Sequence, residues 1–117
     1  MTSSTHTLPL LARRLKAIRK HAGLSQMELG VRAGIDESTA SARINQYERG
    51  KHTPDFLTVC NLARVLCVDA AYFYAEDDSL ADLSALYIRL SADEQRVVME
   101  FAALLASRTL TALDTTW

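Results

Sequence analysis

Two short segments constrain this chain more than anything else in it. Ser25-Gln26-Met27-Glu28-Leu29 places a glutamate three residues after a serine. That is the capping-box pattern, in which each side chain satisfies a backbone N–H that the opening turn of a helix leaves bare. Ile44-Asn45-Gln46-Tyr47-Glu48-Arg49-Gly50-Lys51 reads as the end of another helix, closed by a glycine and a cation. Gly34 falls between them. The segments therefore belong to two short helices joined by a glycine-containing turn, with an unusually long stretch between Gly34 and Ile44.

The rest of the chain is read outward from this pair. A first helix is expected from about Pro9 to His21, with Leu11, Leu15 and Ile18 as its apolar stripe and Gly23 as its stop. Asp36 or Ser38 can cap the third helix. Thr53-Pro54-Asp55 supplies a cap, a first-turn proline and an acid before a fourth, about 55–66, with Phe56, Val59, Leu62, Ala63 and Leu66 turned inward. A short fifth helix is expected around Asp69–Tyr74. The acidic run Glu76-Asp77-Asp78-Ser79 marks a boundary. Beyond it, Leu83, Leu86, Tyr87 and Leu90 define one amphipathic helix, and Ser91-Ala92-Asp93-Glu94 is a second capping box opening another. No segment alternates with the period of a strand, so the fold class is all-α. The expected organisation is a disordered tail at 1–7, a five-helix domain at 8–75 and a C-terminal helical segment at 76–117.

Charge is distributed unevenly. Residues 1–75 carry ten Lys/Arg against six Asp/Glu, whereas residues 76–117 carry three against eight. The basic front attracts a polyanion and the acidic tail is repelled by one, so the tail is expected to point away from it. Cys60 and Cys67, seven residues apart, are too few for a disulfide framework and are expected to face one way as small buried groups. His6, His21 and His52 have no ligand spacing with each other or with the cysteines, so no metal or other cofactor is implied. No apolar run approaches the ~18 residues of a membrane span, and Met1–Ala12 lacks the basic start of a signal peptide. A cytoplasmic location is expected.

The marks Arg14-Leu15-Lys16, Gly23-Leu24-Ser25-Gln26-x-Glu28-Leu29, Ala33-Gly34-Ile35, Ile44-Asn45-Gln46-Tyr47-Glu48-Arg49-Gly50 and Pro54…Leu62-Ala63-x-x-Leu66-x-Val68 occur in one order. In that order the chain, from about Arg14 to Tyr74, resembles the Cro/CI-like (xenobiotic-response-element, XRE) helix-turn-helix regulators. The resemblance implies a five-helix domain whose third helix enters the DNA major groove. Between Gly34 and Ile44 the chain carries about four residues more than is usual there, close to one turn of ~3.6 residues. An added turn at the front of helix three accommodates them most simply; a longer loop is the alternative.

Counted from the better-anchored end, Ser41, Ala42, Arg43, Asn45 and Gln46 fall where the family's recognition helix faces base edges. Arg suits guanine O6/N7, Asn or Gln suits adenine N6/N7, and a small Ser or Ala suits a thymine methyl. Ser38 and Thr39 join them if the extra turn also enters the groove. Ser25 and Gln26, at the positive end of helix two, suit a phosphate, as do Arg49, Lys51 and His52 after helix three. Resembling proteins pair an arginine late in helix one with the glutamate of the Glu-x-Gly ending, which implies an Arg19–Glu48 structural ion pair. In the C-terminal segment, Leu83, Leu86 and Leu90 together with Val97, Phe101, Leu104 and Leu105 suit a two-fold dimer interface; packing on the domain to enlarge its core is the alternative.

The implied protein is a sequence-specific DNA-binding transcriptional regulator. It is expected to be a repressor that binds an inverted repeat of double-stranded DNA as a homodimer. A module that masks a protein partner, as the antitoxin of a toxin–antitoxin pair does, is the alternative. An enzyme is not implied, because there is no phosphate-binding glycine loop and no nucleophile–base pair. The stretch after residue 75 is short for a ligand-sensing domain, so no small-molecule effector is implied.

Overall fold

The structure, a computed structural model, describes the backbone of residues 7–113 and the side chains of residues 7–108. The tail expected at 1–7 thus lies outside the described residues except for Thr7. Among the described residues seven helices follow one another: α1 Leu10–His21, α2 Gln26–Arg32, α3 Glu37–Glu48, α4 Phe56–Leu66, α5 Ala71–Tyr74, α6 Asp78–Tyr87 and α7 Ala92–Leu113. The fold is all-α, and no strand occurs among the described residues. The chain forms two compact units, one ending at Ala85 and one beginning at Leu86.

Local signals explain most helix boundaries. The Ser25 hydroxyl accepts from the Glu28 N–H at 3.0 Å while the Ser25 N–H donates to the Glu28 carboxylate at 2.8 Å. Asp36 caps α3 by accepting from the Ser38 N–H. The turn between α2 and α3 is therefore short, and the surplus residues are wound into α3, which runs for 12 residues. Gly34 makes this turn possible at φ +96°, a left-handed conformation that costs glycine little.

The core of the first unit gathers Leu15, Leu29, Ile44, Val59, Leu62, Leu66 and Phe73, each at most 3% exposed. At roughly 1.5–3 kcal/mol for each large apolar side chain buried, this cluster is the main stabilising contribution to the unit. Helices α2 and α3 approach each other closely. Gly30 lies against Ala40, and a Cβ built on Gly30 would stand 2.8 Å from the Ala40 Cβ. Both residues are small where the two helices cross, which lets the backbones come together.

The unit continues past the acidic stretch. Arg14 on α1 is 7% exposed, and its guanidinium gathers the α5–α6 junction. It donates to the carbonyls of Tyr72 (2.8 Å) and Ala75 and to the Asp78 carboxylate (2.8 Å), and it lies 5.7 Å from the centroid of the Tyr72 ring. Ala81 on α6 is buried and Ala85 packs against the core. No local pattern in the sequence shows that Arg14 is buried while Arg13 is exposed, because its acceptors come from residues about 60 positions later.

Several local expectations are corrected. Asp55, not Thr53, caps α4 through the Thr58 N–H at 2.8 Å, and Pro54 is a buried residue ahead of the helix. Phe56, expected inward, is 65% exposed. As the first residue of α4 its side chain leans back toward the helix start, where it meets the Tyr74 ring at 6.3 Å. The two cysteines do not share a buried face. Cys60 is half-buried on α4, whereas Cys67 is exposed beyond the helix in a left-handed conformation at φ +58°. The seven-residue spacing assumed a continuous helix, and the chain leaves that helix at Leu66. Leu90 likewise lies outside α6, which ends at Tyr87, and belongs to the turn before α7.

In the second unit, Ser91 and Glu94 form the capping box that opens α7, with reciprocal bonds of 2.9 and 3.1 Å. The Gln95 amide donates to the Tyr87 carbonyl at 2.9 Å and closes the turn.

Gly30→Ala tests the α2–α3 crossing. Alanine gains up to about 1 kcal/mol of helix propensity, yet overpacking typically costs about 1–3 kcal/mol. The expected outcome is a melting temperature several degrees below that of the wild-type protein, measured by circular dichroism.

Candidate nucleic-acid interface

Helix α3 has one buried side and one free side. Ala40, Ile44, Tyr47 and Glu48 face the core, while Ser38, Thr39, Ser41, Ala42 and Arg43 are exposed and Asn45 and Gln46 are partly so. Helical spacing places Ser38, Ala42, Asn45 and Gln46 along one outward stripe, with Arg43 and Ser41 on its flanks. The residues expected to meet base edges thus share the surface opposite the core. Arg49, Lys51 and His52 are exposed just beyond the end of α3. The N–H groups of Lys51 and His52 turn back onto the Gln46 carbonyl at 3.0 and 3.4 Å, which fixes this cationic end relative to the helix.

A buried polar chain sets the angle of α3. Arg19 of α1 grips Glu48 with two bonds, Nε to Oε2 at 2.5 Å and Nη2 to Oε1 at 3.0 Å. Its Nη1 donates to the Leu24 carbonyl at 2.8 Å. Arg19 and Glu48 are 9% and 3% exposed, so neither charge has much access to water. The hydrogen bond to Glu48 raises the Arg19 pKa above its usual value, outweighing the opposing effect of burial. The chain extends to the surface: the Gln26 amide donates to Glu48 Oε1 at 3.1 Å and to Asn45 Oδ1 at 3.2 Å.

This last link was not legible in the sequence. Gln26 was expected at a phosphate and Asn45 at a base, and the structure joins the two side chains across the α2–α3 angle. With its oxygen accepting from Gln26, Asn45 turns its amide N–H groups into donors for an outside acceptor. No spacing rule could have found the pair, since it depends on how two helices cross.

The N-termini of both helices carry acids. Bonds from the Ser25 backbone and hydroxyl hold the Glu28 carboxyl below the ordinary Glu range, and bonds from the Ser38 hydroxyl and backbone do the same for Asp36. Both carboxylates are therefore ionised at neutral pH and favourably placed against the positive ends of their helix dipoles. At the start of α2, Ser25 is exposed.

Among the described residues, no helix is long and apolar enough to cross a membrane. A protein-family model described as a helix-turn-helix domain matches residues 10–72. The chain is also similar to a solved structure, that of transcriptional regulator BswR. The two are 41% identical with a TM-score of 0.76, and the match covers 87% of this chain and 98% of that one. No curated protein matches. The chain belongs to the helix-turn-helix family, and it is a DNA-binding transcriptional regulator of that class.

Glu48→Ala would strand Arg19 without its carboxylate and release Gln26. Breaking a buried pair in this way typically costs about 3–5 kcal/mol. The expected result is a large drop in melting temperature together with loss of DNA binding. A variant that melts like wild type but no longer binds would show that the pair acts on DNA rather than on the angle of α3.

Proposed function

We propose that this protein represses transcription by occupying promoter DNA as a homodimer on an inverted repeat. Its α3 helices would lie in successive major grooves, about 34 Å apart on one face of the duplex. The observation that carries the reading is the outward stripe of α3, held at its angle by the Arg19–Glu48–Gln26 chain. In this reading Ser41, Ala42, Arg43, Asn45 and Gln46 meet base edges. Ser25 and the backbone N–H of Gln26 at the start of α2, with Arg49, Lys51 and His52 after α3, meet phosphates; the Gln26 side-chain donors are already taken by Glu48 and Asn45.

Dimerisation is supported by apolar surface that a soluble monomer has no reason to present. Val97, Phe101 and Leu104 on α7 are 63%, 61% and 59% exposed, and Leu105 is also exposed. They fall at i, i+4, i+7 and i+8, which is one face of a helix. Leu83 and Leu86 on α6 are exposed as well, and Leu90 follows in the turn. A second copy of the same chain supplies a matching face by symmetry. The double variant Phe101→Glu/Leu104→Glu should sediment as a monomer and bind a full operator far more weakly, while keeping the wild-type melting profile of the first unit. A variant that remains dimeric would exclude this face.

Selection of bound duplexes from random DNA tests the function itself. The full-length protein should enrich a palindrome, and failure to enrich any sequence at low salt would sink the reading. On the enriched operator, affinity should fall steeply with salt, with a slope of about −0.9 for each phosphate contacted. Lys51→Ala should reduce that slope by about 1 per protomer and weaken all sequences alike. Arg43→Ala should instead cost about 1–3 kcal/mol and relax the preference at one base pair.

A further inference from the structure

We propose that the additional turn of α3 extends the reading head, with Ser38 and Thr39 acting as hydrogen-bond acceptors for an exocyclic base amine, adenine N6 or cytosine N4. The inference rests on α3 being the base-reading helix and adds two specificity-determining residues to it.

Three observations lead there. Ser38 and Thr39 are exposed and lie about one turn before Ala42 and Arg43, which are also exposed on α3. At 1.5 Å per residue, Ser38 stands about 6 Å further along the groove than Ala42, nearly two base-pair steps. Both hydroxyl protons are already committed: Ser38 Oγ donates to the Asp36 carboxylate, and Thr39 Oγ1 donates to the Asp36 carbonyl at 3.3 Å. What each hydroxyl then turns outward is its lone pairs.

The neighbouring charges decide between base and phosphate. Asp36 and Glu37 are exposed acids beside these hydroxyls, and they occupy the positive end of the α3 dipole. A phosphate brought to this end would meet two carboxylates. The exocyclic amines are the donors that the major groove offers, one on each base pair. The two ends of the stripe thus read opposite chemistry, donors at Arg43 and Asn45 and acceptors at Ser38 and Thr39.

The test compares the full-length wild type with the double variant Ser38→Ala/Thr39→Val. The Asp36 cap on the Ser38 N–H survives both changes, so an unchanged melting temperature is expected. Sequence selection with each protein should show the variant losing preference at one or two adjacent base pairs and keeping the rest of the motif. At the affected pair, an amine-deleted base (purine for adenine, pyrimidin-2-one for cytosine) should weaken wild-type binding roughly 3- to 10-fold, the span of one net hydrogen bond. The same deletion should leave the variant unaffected, and a 7-deaza purine there should affect neither protein.

An unchanged motif in the variant overturns the inference while leaving the DNA-binding reading intact. Sensitivity to the 7-deaza base instead of the amine deletion overturns it too, because the hydroxyls would then be donors. If the wild type selects nothing, the DNA-binding reading and this inference fall together.

Discussion

The ion pair between Arg19 and Glu48 holds the rest of the interface in place. Both residues are nearly excluded from water, and each would be costly there without the other. Their two-point contact joins the end of α1 to the end of α3, and a third bond from Arg19 reaches the Leu24 carbonyl just before α2. One guanidinium therefore ties together three elements that a helix-turn-helix must keep in register. Gln26 carries the same constraint outward to Asn45. A surface side chain on the proposed reading stripe is thus positioned by a charge on the opposite side of the helix pair.

A second arginine performs a comparable task at the other side of the unit. Arg14 gathers the Tyr72 and Ala75 carbonyls and the Asp78 carboxylate, so the start of α6 is bound to α1. The short helix α5 is capped by Asp69, whose carboxylate accepts from the Ala71 N–H at 2.9 Å, but four residues are far too few to persist in isolation. Tertiary contacts to Arg14 and to the core through Phe73 are what hold it. Gly30 and Ala40 contribute in another way, by leaving out atoms where two backbones cross.

Sequence reasoning succeeded where the physics is local. Capping boxes at Ser25 and Ser91, the glycine stop at Gly34 and the 3.6-residue apolar spacing all act within one or two turns. It faltered at element ends, where one or two residues decide a side chain's direction. Phe56 and Cys67 both sit at the ends of α4, so a periodic pattern assigned them to a face they do not share. Leu90 failed in the same way beyond α6.

The sequence alone determined the all-α class, the order of the helices, the position of the helix-turn-helix and the charge split, because each depends on neighbours in the chain. Only the tertiary structure decided that the surplus residues extend α3, that Asn45 is oriented by Gln26, and that Arg14 belongs to the interior. The last two outcomes depend on groups that lie roughly twenty to sixty residues apart and meet only when the helices cross. A pattern with a period of a few residues contains no information about that crossing.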